Sequence, residues 1–438
     1  MTNSVRARRL ALSIIDGEWT QPAVTDRLRR VLELHPQDIK QLAARLCFLY
    51  EQPPASFKRL ATLLLNEPLL EYFWQHAAQQ DIPGILLDTP QMQPPPANLR
   101  CFPLPRLDTL KDVALWLAVQ PRELDWLADI NGRQAQVVEP RPHHYRYRWV
   151  NKRSGGQRLI EIPKSQLKRI QRLILHDILD RILPHDAAHG FVRNRSCASY
   201  VAAHVGQPVI LHLDLKDFFH SVPITKVLAF FRTLGYPAAV ARTLMGLCSH
   251  GVSPSLAGKP FADQSWQRRR QLRHPHLPQG APTSGALANF SAYRLDCRLA
   301  GLARRYGLRY SRYADDLVFS GPETLRPQAA WIESVTGAIA LEEGFCLNHR
   351  KTRVRSQSQS QRITGLVINE KINISRTDYD QLKATLHNCV RHGSESQNRC
   401  AHPDFRAHLA GRIAHVTHIN PQRGRKLQQL FNAVHWED

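Results

Sequence analysis

Two adjacent carboxylates, Asp315 and Asp316, stand inside the run Arg309-Tyr-Ser-Arg-Tyr-Ala-Asp-Asp-Leu-Val-Phe-Ser320. Neighbouring anions repel, and a divalent cation is the natural way to hold both ionised. A solvated Asp-Asp turn has the same local pattern, so the pair needs support from elsewhere in the chain. Upstream, Val209-Ile-Leu-His-Leu-Asp214 is an apolar run that ends in an acid, and Asp217 follows on the turn into a helix. A buried strand ending in a carboxylate needs a partner, either a salt bridge or a metal ion. The second acidic site downstream favours the metal.

Other residues suit the handling of phosphate. Residues 141–164 mix cations with aromatics, Arg-Pro-His-His-Tyr-Arg-Tyr-Arg-Trp-Val-Asn-Lys152-Arg, then turn at Ser154-Gly-Gly and return through Arg158-Leu-Ile-Glu-Ile-Pro163. A basic hairpin of this kind can clamp phosphates and stack on bases, although a solvated edge hairpin would look alike. Ala188-His-Gly-Phe-Val-Arg-Asn-Arg-Ser196 reads as a loop with two exposed arginines leading into a helix, whose amides favour phosphate. Leu277-Pro-Gln-Gly-Ala-Pro-Thr-Ser-Gly285 is a turn whose small residues admit a ligand close to the backbone. Lys351 lies on a loop past another helix. The stretch from His250 to His276, with Arg268-Arg-Arg270, reads as a solvated basic loop; His274 and His276 flank a proline without a partner cluster.

The elements that would position these residues follow from periodicity. The 309–320 pattern predicts a β-hairpin with both acids at its turn, and 209–214 a buried strand. Ser165 to Leu183 is an amphipathic helix, and Ala286 to Tyr306 another. Residues 1–100 read as a helical extension of unassigned role, closed by a stiff connector around Pro94-Pro-Pro96. Residues 101–140 continue as helix, 141–370 carry the chemistry, and 371–438 are helical and basic. Strands amid helices make this an α+β chain. Its 59 Lys plus Arg against 37 Asp plus Glu leave a net charge of +22, which calls for a polyanionic partner, nucleic acid first. The chain has no apolar run of the roughly 18 residues a membrane span needs, so no membrane is expected. Eight scattered cysteines and an N-terminus without an apolar signal region predict a reducing, cytoplasmic setting.

The ordered set formed by the basic hairpin, Ala-His-Gly-Phe, Leu-Asp-Leu-Lys-Asp-Phe-Phe, Leu-Pro-Gln-Gly-Ala-Pro-Thr-Ser, Tyr-Ala-Asp-Asp, Asn348-x-x-Lys-Thr and Thr364-Gly-Leu resembles the bacterial retron-type reverse transcriptases over about residues 105 to 438. The resemblance implies a right-hand polymerase fold, with fingers and palm at 141–370 and a thumb at 371–438. Asp214, Asp315 and Asp316, with the Leu215 carbonyl, would hold two Mg²⁺ ions, Mn²⁺ being an alternative. Lys152 and Arg158 would grip the incoming triphosphate, which would also meet the Asp217 and Phe218 amides. Phe219 would exclude a 2′-hydroxyl, Gln279 and Gly280 would pack on nucleotide and template, and Lys351 would act as general acid. The implied activity is an RNA-directed DNA polymerase that copies a structured noncoding RNA, used as both template and primer, with dNTPs into branched RNA–DNA (msDNA). A role in antiphage defence beside an effector protein is also implied. The chain departs from the family where an Asn-Ala-x-x-His signature is usual, reading Cys248-Ser-His-Gly-Val-Ser-Pro254, and carries Ile363-Thr-Gly for Val-Thr-Gly. A non-retron defence or diversity-generating enzyme, or a catalytically silent RNA-binding protein, are the alternatives.

Overall fold

A computed structural model of the chain describes residues 3–15, 17–54, 56–76, 91–137, 139, 142–151 and 155–436. It divides into two compact units, 1–92 and 93–438. Lys152 lies outside the described residues, as do residues 81–90, the first part of a connector expected over about 81–105.

The first unit is helical, with helices Asn3–Ile15, Gln21–Val31, Pro36–Leu49, Phe57–Leu65 and Glu71–His76. Leucines at helical spacing, among them Leu28, Leu42, Leu46, Leu60 and Leu64, form its core. Its two tryptophans are tied to backbone: the Trp19 indole donates to the Tyr50 carbonyl at 2.8 Å, and the Trp74 indole to the Leu64 carbonyl at 3.0 Å.

Among the described residues, the second unit holds nine strands. Strands β1 (Tyr145–Asn151) and β2 (Gln157–Pro163) form the basic hairpin. The central sheet has β3 (Val209–Asp214), β4 (Arg309–Tyr313), β5 (Asp316–Gly321) and β6 (Arg353–Ser356) in the order β4-β5-β3-β6, all antiparallel. Strand β3 is central and reads as a continuous apolar run because both its edges are paired and nearly all its side chains are buried. Strands β7 (Arg362–Ile363), β8 (Leu366–Val367) and β9 (Asn373–Ile374) make a small third sheet. It shares a core with the C-terminal helices Arg376–His392, Phe405–Ile419 and Pro421–Asn432 through Ile363, Leu382, Ile413 and Leu427.

Several expectations are corrected. The 286–306 helix is two, Ser284–Ser291 and Tyr293–Arg305, broken at Ala292. The Ser165 helix ends at Asp177, before a short 3-10 turn. The 250–276 stretch is not a solvated loop. It contains three short helices, and its two end histidines pair main chain to main chain, with His250 8% and His276 2% exposed. Of the two arginines expected to be exposed in 188–196, Arg195 is instead half-buried, donating to the carbonyls of Asp186 (2.7 Å) and Ala188 (2.6 Å). Among the described residues, no helix is long and apolar enough to cross a membrane.

Candidate active site

Antiparallel pairing of β3 with β5 sets Asp214 directly opposite Asp316. One residue on, the Leu215 amide donates to the Asp315 carbonyl at 2.8 Å, so main-chain bonds alone bring the two acidic segments together. The turn between β4 and β5 requires a left-handed residue, and Ala314 takes it with φ 56°. Gly190 lies against that turn: a Cβ there would stand 2.7 Å from the Ala314 nitrogen. This is the physical demand behind the glycine of the Ala-His-Gly-Phe block.

Asp214 is 4% exposed. Its Oδ1 accepts from Lys351 Nζ at 2.6 Å, its Oδ2 from Asn348 Nδ2 at 3.3 Å, and its carbonyl from the Asn348 amide at 2.7 Å. The Asn-x-x-Lys stretch is thereby tied to β3. Asp316 Oδ1 lies 3.2 Å from His212 Nε2, without hydrogen-bond geometry, and its carbonyl accepts from the Tyr200 hydroxyl at 3.1 Å. Burial, reinforced by the charges of Asp316 and Asp214, pushes the Asp315 carboxyl up to about 6. Three carboxylates therefore face one ammonium and one imidazole. Such a hard, anionic oxygen set fits a divalent cation.

Beneath the turn lies a buried network that sequence reading missed. Arg312, 0% exposed, reaches Asp296 through Nε (2.8 Å) and Nη2 (2.6 Å). Its Nη1 donates to Asn289 Oδ1 (3.0 Å) and to the Ala314 carbonyl (3.1 Å). Tyr310 also donates to Asp296, at 2.8 Å, while Asn289 donates to the Gly190 carbonyl at 2.7 Å. The guanidinium thus clamps the strained turn to the helices before it. A signal existed in Asp296, one position from the Leu295–Leu299–Ala303 face of its helix.

On the other flank, Asp217 is left-handed (φ 51°) and pairs with Arg268 at 3.3 Å. Phe218 is buried against Phe345. Phe219 is half-buried, its ring 5.7 Å from that of Phe191. The Gln279 carbonyl accepts from the Glu161 amide at 2.9 Å, which fastens the Pro-Gln-Gly turn to β2. Gly280, at φ 131°, comes so close that a Cβ would meet the Glu161 carbonyl at 2.7 Å. Arg158 is exposed on β2, opposite Val150. Sequence reading also missed Glu161, fully buried, beside His220 and His276. His276 and His220 hold its carboxyl below the usual carboxylate range although burial alone would raise it. Its signal was visible: Leu159, Glu161 and Pro163 alternate on the inward face of β2.

The family model described as "Reverse transcriptase (RNA-dependent DNA polymerase)" matches residues 150–368. The chain is 39% identical over 345 residues to the Retron Mx65 reverse transcriptase of Myxococcus xanthus, covering 76% of this chain and 74% of that one. It is 34% identical to the Retron Mx162 reverse transcriptase of the same organism, covering 74% of this chain and 66% of the relative. With the Retron Ec86 reverse transcriptase of Escherichia coli it shares 30% identity, covering 65% of this chain and 79% of the other.

Proposed function

The chain belongs to the retron-type reverse transcriptases and is an RNA-directed DNA polymerase; from that premise we propose that Asp214, Asp315 and Asp316 are its catalytic carboxylates and a structured noncoding RNA its template. The observation that carries this reading is the main-chain stitch between the end of β3 and the Asp315 turn. In this reading 141–370 are fingers and palm and 371–438 the thumb, where RNA is recognised by shape, 2′-hydroxyls and phosphates. The three acids, with the Leu215 carbonyl, would hold two Mg²⁺ ions, which would lower the pKa of the primer hydroxyl and neutralise the triphosphate.

The protein's own groups do the rest. Lys351, which donates to Asp214, protonates the departing pyrophosphate in this reading. Arg158 and Lys152 bind the triphosphate from the hairpin, and the Asp217 and Phe218 amides meet it from the turn. Phe219 fills the space a ribose 2′-hydroxyl would need, which selects deoxynucleotides. Gln279 and Gly280, fastened to β2, form the floor under nucleotide and template. The primer is an RNA 2′-hydroxyl, the product branched RNA–DNA, and the setting antiphage defence with a separate effector.

Asp315→Asn tests the assignment. It should abolish dNTP incorporation and leave RNA binding within about twofold; incorporation at the wild-type rate would remove the metal assignment. Sequencing the nucleic acid that copurifies tests the template: branched RNA–DNA supports the reading, and template-free DNA overturns it.

A further inference from the structure

We propose that Glu161, His220 and His276 form a second metal site, a buried zinc clasp that joins the three segments of the nucleotide pocket. The ligand atoms all lie within 4.8 Å of one another. Their side chains are 0%, 3% and 2% exposed. His276 Nε2 is 2.9 Å from Glu161 Oε1, and His220 Nε2 is 3.7 Å from the same oxygen. Two donors about 2.0 to 2.1 Å from a tetrahedral zinc ion stand about 3.3 Å apart, and the two observed separations bracket that value.

His276 Nδ1 lies 2.7 Å from the His274 carbonyl, which can only accept, so Nδ1 carries the proton. The Nε2 of a neutral ring then presents a lone pair to a carboxylate oxygen at 2.9 Å. Only a proton or a metal ion between them resolves this contact. A proton satisfies that one contact. Two further buried atoms here, Glu161 Oε2 and His220 Nε2, have no hydrogen-bond partner among the described residues. One metal ion serves all of these donors together. Two imidazoles and a carboxylate suit zinc, with the second carboxylate oxygen or a water completing four-coordination. The His274 carbonyl on the far ring nitrogen of His276 is the outer support that metal-bound histidines ordinarily have.

One neighbour must adjust. Arg268 Nη2 lies 3.5 Å from His220 Nδ1, and both would be donors in the metal-bound form. Its other nitrogen already reaches Gln271 Oε1 at 2.7 Å and Asp217 at 3.3 Å, so the guanidinium has acceptors to turn to.

The location gives the site its purpose. Glu161 lies three residues after Arg158, His220 directly follows Phe219, and His276 lies three residues before Gln279. A single ion would fix the relative placement of hairpin, aromatic gate and pocket floor. This is a structural role, independent of the ions at the acidic turn.

The test uses full-length Asp315→Asn protein without a polyhistidine tag, so that ions at the acidic turn do not confuse the count. After dialysis against metal-free buffer, elemental analysis should find one zinc per chain. Stripped protein refilled with Co²⁺ should show the visible bands of tetrahedral cobalt with nitrogen and oxygen ligands. Adding His276→Ala, or separately Glu161→Gln, should lower the zinc content at least fivefold. Since either variant could unfold, the parent protein is the decisive sample. Zinc below a fifth of an equivalent, with no tetrahedral cobalt spectrum, overturns the site and leaves the hydrogen-bonded pair Glu161–His276. Loss of polymerase function elsewhere would not affect this outcome.

Discussion

Arg312→Met should damage the second unit far more than a surface change could. The guanidinium is fully buried, donates twice to Asp296, and satisfies both Asn289 and the Ala314 carbonyl. Removing it strands a buried carboxylate, which costs about 3–5 kcal/mol. Methionine fills much of the volume, so cavity cost is a smaller part. At about 1.4 kcal/mol per factor of ten, amides of β3 and β5 that exchange by cooperative opening should exchange roughly two to four orders of magnitude faster. Hydrogen exchange read by mass spectrometry on peptides covering 209–215 and 309–321 gives the number. The double variant Asp296→Asn/Arg312→Met removes the stranded charge and should recover at least half of the loss. A single variant costing under about 1 kcal/mol, or a double variant no better than the single, would show that the network does not hold the turn.

Two further outcomes can be checked directly. In EDTA, Asp315 titrates near 6 when folded and near its ordinary 3.8 when unfolded, so it keeps a proton that the unfolded chain has released. Its contribution is complete below about pH 4 and lost as pH rises through 6, opposing the acid loss from His204 and His250, which burial holds neutral with values near 3. Asp315→Asn should therefore lose stability on acidification more steeply than wild type, by about 1.4 kcal/mol per pH unit between 4 and 6; superimposable urea midpoints across that range would contradict the raised value. Phe219→Ala should bring ribonucleotide incorporation at least tenfold closer to the deoxynucleotide rate, while an unchanged preference in competition assays would dismiss the gate.

The acidic hairpin and β3 were legible because their signals are local: alternation, a carboxylate pair, an apolar run with an acid at its end. The order of motifs was legible too. Partnerships between distant residues were not. His276 looked solvated because Arg268 to Arg270 dominate its surroundings, yet pairing with His250 and contact with β2 bury it. Arg312 and Asp296 carry no pattern that joins a strand residue to a helix residue. Ala292, a good helix former, gives no hint that a helix breaks there; packing of Phe230 on Phe290 and the turn into Tyr293–Arg305 are tertiary matters.

The bond from the Leu215 amide to the Asp315 carbonyl involves no side chain. It joins β3 to the acidic turn from the main-chain side, beside the side-chain ties that Lys351 and Arg312 supply. Exchange of Asp315 for asparagine therefore leaves that bond in place. On the proposed assignment, a lineage could lose the metal site at Asp315 in a single codon and keep the strand pairing that carries it.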